Sequence, residues 1–244
     1  MTQIKSYLTA LVVTLLIGCG GGGGESSGGS CAAFKVFNGD ECASDSLPVV
    51  QLLVNDRPGC TGTIISDDIV LTAAHCVIGA STLTASHDRG IQTFSQAIAN
   101  PLFGRGDGEA FDIGLIRFPG IAKNFGVRPA RLGLSHQVQV GDVLKVVGYG
   151  LDGTPELVNG NPRGVSVTVQ TRDRGLIVTF FNADNAGTCF GDSGGAATYD
   201  GKIVATVQGG GKNCAEGNYN TFVDLGLQGN YSFLRAAIPE VPLD

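Results

Sequence analysis

The chain has 244 residues, 38 of them Gly, and a formal net charge of −6 from 16 basic and 22 acidic side chains. That length fits one large domain or two small ones, and the acidic balance argues against phosphate-backbone binding as the main task. So much Gly disfavours a helical bundle, because each interior Gly costs a helix roughly 1 kcal/mol. An apolar content of 43% excludes full-length disorder, and the pattern excludes coiled coil, collagen and a polytopic membrane protein.

The N-terminus reads as an address. Lys5 precedes an apolar run, Tyr7 to Ile17, of about 11 residues, where a spanning helix needs roughly 20. The run suits a signal-peptide core covering residues 1–18. It ends in Leu16-Ile17-Gly18-Cys19, which resembles a bacterial lipobox; the resemblance implies diacylation of Cys19 and attachment to a membrane by that lipid. Gly20 to Gly24 and Glu25-Ser26-Ser27-Gly28-Gly29-Ser30 follow, a flexible tether with an r.m.s. span of roughly 18 Å. The segment 19–35 is thus expected to be linker and propeptide. Cys31, Cys42, Cys60, Cys76, Cys189 and Cys214 remain, an even set that reads as a disulfide framework in an exported chain, with about 15 possible connectivities. Export to the cell envelope or beyond is the expected localisation.

Beyond residue 46, short apolar runs alternate with Gly, Asn, Asp and Pro. Strands are predicted at Leu47–Val54, Ile69–Thr72, Ile113–Phe118, Val143–Gly148, Val165–Val169, Leu176–Phe180 and Ile203–Val207. The strict alternation of Val165-Ser166-Val167-Thr168-Val169 predicts one wet face. Asn230–Ile238 is the one fair helix, and the turn-rich stretch Leu134–Gly141 can join two halves of similar size. The fold class is all-β, a barrel or sandwich.

Three segments carry chemistry: Thr72-Ala73-Ala74-His75-Cys76, Phe111-Asp112-Ile113-Gly114-Leu115-Ile116 and Gly191-Asp192-Ser193-Gly194-Gly195. A Ser hydroxyl is a poor nucleophile at neutral pH and needs a general base, which in turn needs a buried carboxylate to fix its tautomer and stabilise its cation. Glycines beside the Ser let the backbone turn so that two N–H groups point at a developing oxyanion.

These segments, in this order, resemble those of the chymotrypsin-fold (trypsin-like) serine proteases, over residues 36–244. The resemblance implies two six-stranded Greek-key barrels with a C-terminal helix and the site in the cleft between them. It implies His75 as general base, Asp112 as its orienter, Ser193 as nucleophile, and the N–H groups of Gly191 and Ser193 as oxyanion hole. It also implies bridges Cys60–Cys76 and Cys189–Cys214, which leaves Cys31 and Cys42 for each other. Val36-Phe37-Asn38-Gly39 after Lys35 resembles the family's mature N-terminus. Cleavage after Lys35 by an activating protease would then free an α-amino group to pair with Asp192, and a Cys31–Cys42 bridge would keep the cut enzyme tied to its anchor. His87 and His136 match nothing and are read as surface residues.

The same resemblance places Gly187 at the base of the specificity pocket, Gly210 and Gly217 on its walls with Thr188, and Phe190 at its rim. An open, uncharged slot favours a large apolar side chain before the scissile bond, although Lys212 nearby could favour an acidic one. Gln208 stands where the family usually has Ser, and Gly209 where it usually has Trp. Nothing resembles the family's calcium loop, so no metal and no cofactor is expected. The expected partner is a protein or peptide substrate, not nucleic acid. The alternatives are a catalytically silent binding homologue and a triad esterase, but the Ser, Asp, His order of the α/β-hydrolases is absent.

Overall fold

The computed structural model describes residues 47–94, 96–134, 137–151, 161–182, 186–211, 214 and 218–243. The signal segment, Cys19, the linker, Cys31, Lys35, Val36, Cys42, His136, Lys212 and Gly217 lie outside the described residues, as does the 36–46 start of the expected protease domain.

The N-terminal half holds β1 (Val49–Val54), β2 (Arg57–Ile64), β3 (Ile69–Thr72), α1 (Ala74–Val77), β4 (Leu83–His87), β5 (Gly90–Phe94), β6 (Ala97–Ala99), β7 (Gly114–Arg117) and α2 (Ile121–Phe125). Its strands pair antiparallel in the order β5-β4-β1-β2-β3-β7-β6. Strands β5 and β6 lie at opposite edges of this sheet, yet only residues 95 and 96 separate them. Three Cα–Cα steps span at most about 11 Å, whereas the edges of a flat seven-stranded sheet lie about 29 Å apart. The sheet must therefore roll up until its edges meet. With β5 and β6 counted as one interrupted strand, it is the first six-stranded barrel that the resemblance implies.

The C-terminal half holds β8 (Val143–Gly148), β9 (Arg163–Asp173), β10 (Leu176–Phe180), β11 (Ala196–Tyr199), β12 (Lys202–Gly210), β13 (Tyr219–Asp224) and α3 (Gln228–Ala237). Its strands form a closed barrel, β10-β13-β12-β11-β8-β9. All the predicted strands lie within or against observed ones. The strands not predicted, such as β4 (Leu-Thr-Ala-Ser-His) and β13 (Tyr-Asn-Thr-Phe-Val-Asp), carry polar side chains that partners across the sheet make tolerable.

Strand periodicity divides the core in three. Val50, Leu52, Ile64, Val70, Ile116 and Phe118 fill the first barrel, and Leu144, Val146, Val167, Ile177, Val204 and Phe222 fill the second. Their neighbours Ile69, Leu71, Leu115, Ile203 and Val223 face the other way, into a third core shared with Leu234 and Ile238 of the C-terminal segment. That is why Ile69-Val70-Leu71 in β3 and Leu115-Ile116 in β7 read as apolar runs: both faces of each are buried. In β9, Val165, Val167 and Val169 are buried while Thr168 is exposed, giving the wet face read from the alternation.

His87 corrects its surface reading. It is 6% exposed, because it ends β4 facing inward and stacks on Phe125 with ring centroids 5.2 Å apart. Its Nδ1 accepts from the Arg89 N–H (3.2 Å), which leaves Nε2 to donate to the Leu47 carbonyl (3.2 Å).

The close approach of β7 to the segment before α1 admits no side chain at Gly114, where a Cβ would lie 2.7 Å from the Ala73 carbonyl oxygen. Gly114→Ala is expected to lower the free energy of unfolding by about 1–3 kcal/mol. Gly59→Ala, whose Cβ would meet nothing nearer than 3.8 Å, should stay within about 0.5 kcal/mol of the parent. Urea unfolding of the two variants checks the difference.

Candidate active site

Three elements meet at the junction of the barrels. Helix α1 follows β3 and carries His75. The 3-10 turn Gly108–Phe111 ends at Asp112, whose φ of −73° and ψ of 65° place it at the centre of an inverse γ-turn, with the Ile113 N–H bonded to the Phe111 carbonyl (2.7 Å). The Gly191–Gly195 loop precedes β11 and carries Ser193.

Asp112 is fully buried. Its Oδ1 accepts from the His75 backbone N–H (2.8 Å) and its Oδ2 faces His75 Nδ1 at 2.5 Å. The carboxylate accepts only, so Nδ1 carries a proton and Nε2 of a neutral ring is left with its lone pair. Among the described residues no donor takes that lone pair, and the ring is partly open to a cleft of about 530 Å³ that Ser193 also lines. The arrangement can accept a proton from a hydroxyl in the cleft and stabilise the resulting cation.

The Ser193 loop is stitched to the first barrel through Thr61. The Thr61 N–H donates to the Ser193 carbonyl (2.8 Å). Its Oγ1 donates to the Gly191 carbonyl (2.8 Å) and accepts from the Tyr149 N–H (2.9 Å). Gly194, at φ +82°, makes the approach possible, since a Cβ there would lie 2.1 Å from Thr72 Oγ1 and 2.6 Å from the Ala73 nitrogen. Within the loop, the N–H groups of Asp192, Gly194 and Gly195 are bonded to the carbonyls of Cys189, Val207 and Asp192. Among the described residues, no acceptor takes the N–H of Gly191 or of Ser193. Bridges Cys60–Cys76 and Cys189–Cys214 close beside His75 and Ser193 respectively.

Asp192 is fully buried, its Oδ1 accepting from the Gly150 N–H (2.8 Å) and its Oδ2 from the Cys189 N–H (2.8 Å). Burial pushes its carboxyl up to about 7, against the opposing pull of those two hydrogen bonds. No cation pairs with it among the described residues. Tyr149, next to Gly150 in sequence, is buried with its hydroxyl donating to the Val49 carbonyl (3.3 Å), and burial raises its phenol well above the ordinary value.

The cleft is lined by Thr188, Cys189, Phe190, Gln208, Gly209, Gly210, Gly211 and Cys214 besides His75 and Ser193. Thr188 is buried on the wall and Phe190 is 60% exposed at the rim. Gly187 departs from its expected place at the pocket base: it is buried and does not line this cleft. A Cβ on Gly187 would lie 2.3 Å from Cδ1 and Cε1 of Phe181 and 2.9 Å from Asn220 Oδ1, so the Phe181 ring fills the space that a side chain there would use. Asn220 Oδ1 accepts from both the N–H and the Oγ1 of Thr188 (2.7 and 2.9 Å), tying down the wall. The sequence reading missed Phe181 and Asn220 because neither belongs to a motif; a bulky residue beside a Gly-rich turn was the available signal. Gln208 bonds Thr221 (2.7 Å) and not Asp112.

The family model described as Trypsin matches residues 36–225. Snake venom serine protease CL5 of Trimeresurus stejnegeri is 30% identical over 207 residues, covering 74% of this chain and 79% of that protein. Beta-fibrinogenase brevinase of Gloydius blomhoffii is 26% identical over 211 residues, covering 74% of this chain and 87% of its own. Among solved structures, mouse neuropsin, a serine protease, aligns with a TM-score of 0.67 at 21% identity, over 81% of this chain and 97% of that one. A structure titled HL collagenase aligns with a TM-score of 0.69 at 19% identity, over 84% and 99%. At such identities these two structures bear on the fold alone.

Asp192 gives a pH dependence with a definite sign. An Asp ionises near 3.9 when unfolded, whereas this carboxyl is raised to about 7 in the fold. Between those values the folded state holds the extra proton, so stability should fall as pH rises from about 4 to about 7 and then level off. Asp192→Asn should remove that decline. Urea unfolding of the uncut chain and of the variant across this pH range measures it.

Proposed function

The chain belongs to the trypsin family of serine proteases, and from that premise we propose that it hydrolyses peptide bonds through His75, Asp112 and Ser193. The observation that carries this reading is the His75–Asp112 pair opening onto the cleft that Ser193 lines. Ser193 Oγ attacks the scissile carbonyl while His75 Nε2 takes its proton. Asp112 holds the ring and balances the cation, and His75 then returns the proton to the leaving amine. The N–H groups of Gly191 and Ser193 receive the oxyanion, a role supported by their lack of other acceptors among the described residues. Water repeats the sequence on the acyl-enzyme to release the acid.

The proposed P1 side chain is uncharged and apolar. No carboxylate is present among the described lining residues, so an Arg or Lys would be desolvated without a counter-charge. The large-ring preference read from an open, uncharged slot is limited by Phe181, whose ring fills the space beside Gly187. Gly210 supplies backbone for an extended peptide at the cleft wall.

Activation by cleavage after Lys35 is proposed with it. The Val36 α-ammonium would give Asp192 the cation it lacks among the described residues and so hold the Gly191–Ser193 turn in its oxyanion-binding form. Cys19 as lipid anchor, with Cys31–Cys42 bridging the cut, would keep the active form at the envelope surface.

Fluorophosphonate labelling of the full chain, before and after a cut at Lys35, tests this reading. Labelling that appears on cutting and disappears in Ser193→Ala is the expected result. No labelling of a folded, oxidised and cut sample would favour the silent binding homologue. Among peptide substrates, an apolar P1 should be cleaved in preference to Arg. Phe181→Ala should raise kcat/KM for Phe at P1 relative to Val by about 10-fold or more, the scale of one or two methylenes in a pocket.

A further inference from the structure

The Asp112 carboxylate is gripped from one side only. Among the described residues both of its hydrogen bonds come from His75, and Gln208 is engaged with Thr221. Something else must therefore hold the Asp112 backbone where its side chain meets the imidazole.

That support comes from a different element. Asn230 lies in the first turn of α3, fully buried. Its Nδ2 donates to two carbonyls at 2.8 Å, that of Ala110 and that of Asp224, while its Oδ1 accepts from Asn100 Nδ2 at 3.0 Å. Carbonyls only accept, so this orientation of the amide is forced. Every donor of the side chain is used.

The three partners are not arbitrary. Asn100 opens the loop that ends at Asp112, and its N–H bonds the Ile113 carbonyl across the loop mouth (2.8 Å). Its own Oδ1 accepts from the Leu102 N–H (3.1 Å). Ala110 lies in the 3-10 turn immediately before Asp112. Asp224 ends β13 in the second barrel, and its carboxylate is engaged by Arg172 of β9 and the Gly226 N–H. One amide thus ties both limbs of the Asp112 loop to the opposite barrel.

The helix reaches this loop because Gly229 has no side chain: a Cβ there would lie 2.6 Å from Phe111 Cε1 and 2.9 Å from Leu102 Cδ1. From this geometry we infer that Asn230 is a positioning residue for the His75–Asp112 pair. The C-terminal helix takes over, through the backbone of the Asp112 loop, the restraint that the cleft-side residue at 208 does not provide. Asn230 touches neither substrate nor the reacting atoms. Its effect belongs in the alignment of the base, not in peptide binding, because the cleft wall at Gly209 to Gly211 stands on β12 and the loop after it. The inference rests on the protease reading for its kinetic consequence, but its structural content can be read without turnover.

The test uses the full chain cut after Lys35, with Asn230→Leu and Asn230→Asp. The first matches the shape without the hydrogen bonds; the second keeps the acceptor for Asn100 and turns an oxygen toward two carbonyls. Val204→Ala, in the second barrel's own core, serves as a control for general loss of stability. A short N–H···O bond to a carboxylate deshields its proton, so the His75 Nδ1–H should resonate downfield of the amides in the parent and vanish in His75→Gln. The expected result in both Asn230 variants is loss or exchange broadening of that resonance. With it, kcat should fall by about 10- to 100-fold, the scale of a small misplacement of a reacting group, while KM changes less than about twofold. Val204→Ala should keep the resonance and kcat at temperatures where it is folded.

Folded Asn230→Leu that retains both the resonance and kcat would overturn the inference. So would an equal loss in Val204→Ala, or a parent without the resonance, because there would then be no short bond to hold. A parent that shows the resonance but neither labels nor turns over peptide fails the protease reading alone. The spectra of the variants would still decide the role of Asn230.

Discussion

The site depends on a seam of backbone between two barrels. Thr61 in β2 and the Ser193 loop approach closely enough for the Thr61 N–H to bond the Ser193 carbonyl directly, and Gly194 lies where any Cβ would strike Thr72, Ala73 and Thr61. Thr72 Oγ1 in turn donates to the Thr61 carbonyl (2.9 Å), one turn of chain before His75. The loop bearing Ser193 and the strand leading into His75 are therefore held by the same few atoms. The third core, with Ile69, Leu71, Leu115, Ile203 and Val223, supplies the apolar burial that keeps the barrels pressed together around this seam.

Two acids lie fully buried near it, and the structure treats them differently. Asp112 faces an imidazole that can become a cation when a proton arrives, so its charge has a partner in the state where it matters most. Asp192 is provided with two backbone N–H groups and no cation among the described residues, and burial lifts its carboxyl to about 7. A buried acid left in that condition is a reservoir of unfavourable energy that an arriving positive charge can relieve. Its place next to Ser193 in sequence makes any such relief felt at the Gly191–Ser193 turn.

The periphery also shapes the cleft. Phe181, at the end of β10, fills the space at Gly187, and Asn220 on β13 fixes Thr188. Helix α3, remote from the cleft in sequence, sends Asn230 to the loop that carries Asp112. The chemistry-bearing residues are few, and their neighbours from distant segments determine where they point and how deep the pocket runs.

The sequence by itself determined the all-β class, most strands with strong apolar runs, and the three segments carrying His75, Asp112 and Ser193. These are local properties: periodicity two, turn residues, and a Gly-rich surround for a nucleophile survive in a linear reading. Strands β4 and β13 were hidden because their polar side chains are satisfied only across the sheet. His87 read as a surface residue because a lone His carries no sign of the Phe125 ring that covers it. Gly187 read as the base of the pocket because the ring that fills the space beside it comes from Phe181, and no spacing rule connects the two. Only the tertiary structure decided what fills the space beside Gly187, the lack of a cation for Asp192 among the described residues, and the reach of Asn230. The physical reason is common to all three: each depends on groups far apart in sequence, side chain or backbone, that meet across gaps carrying no periodic signal, where packing alone brings them together.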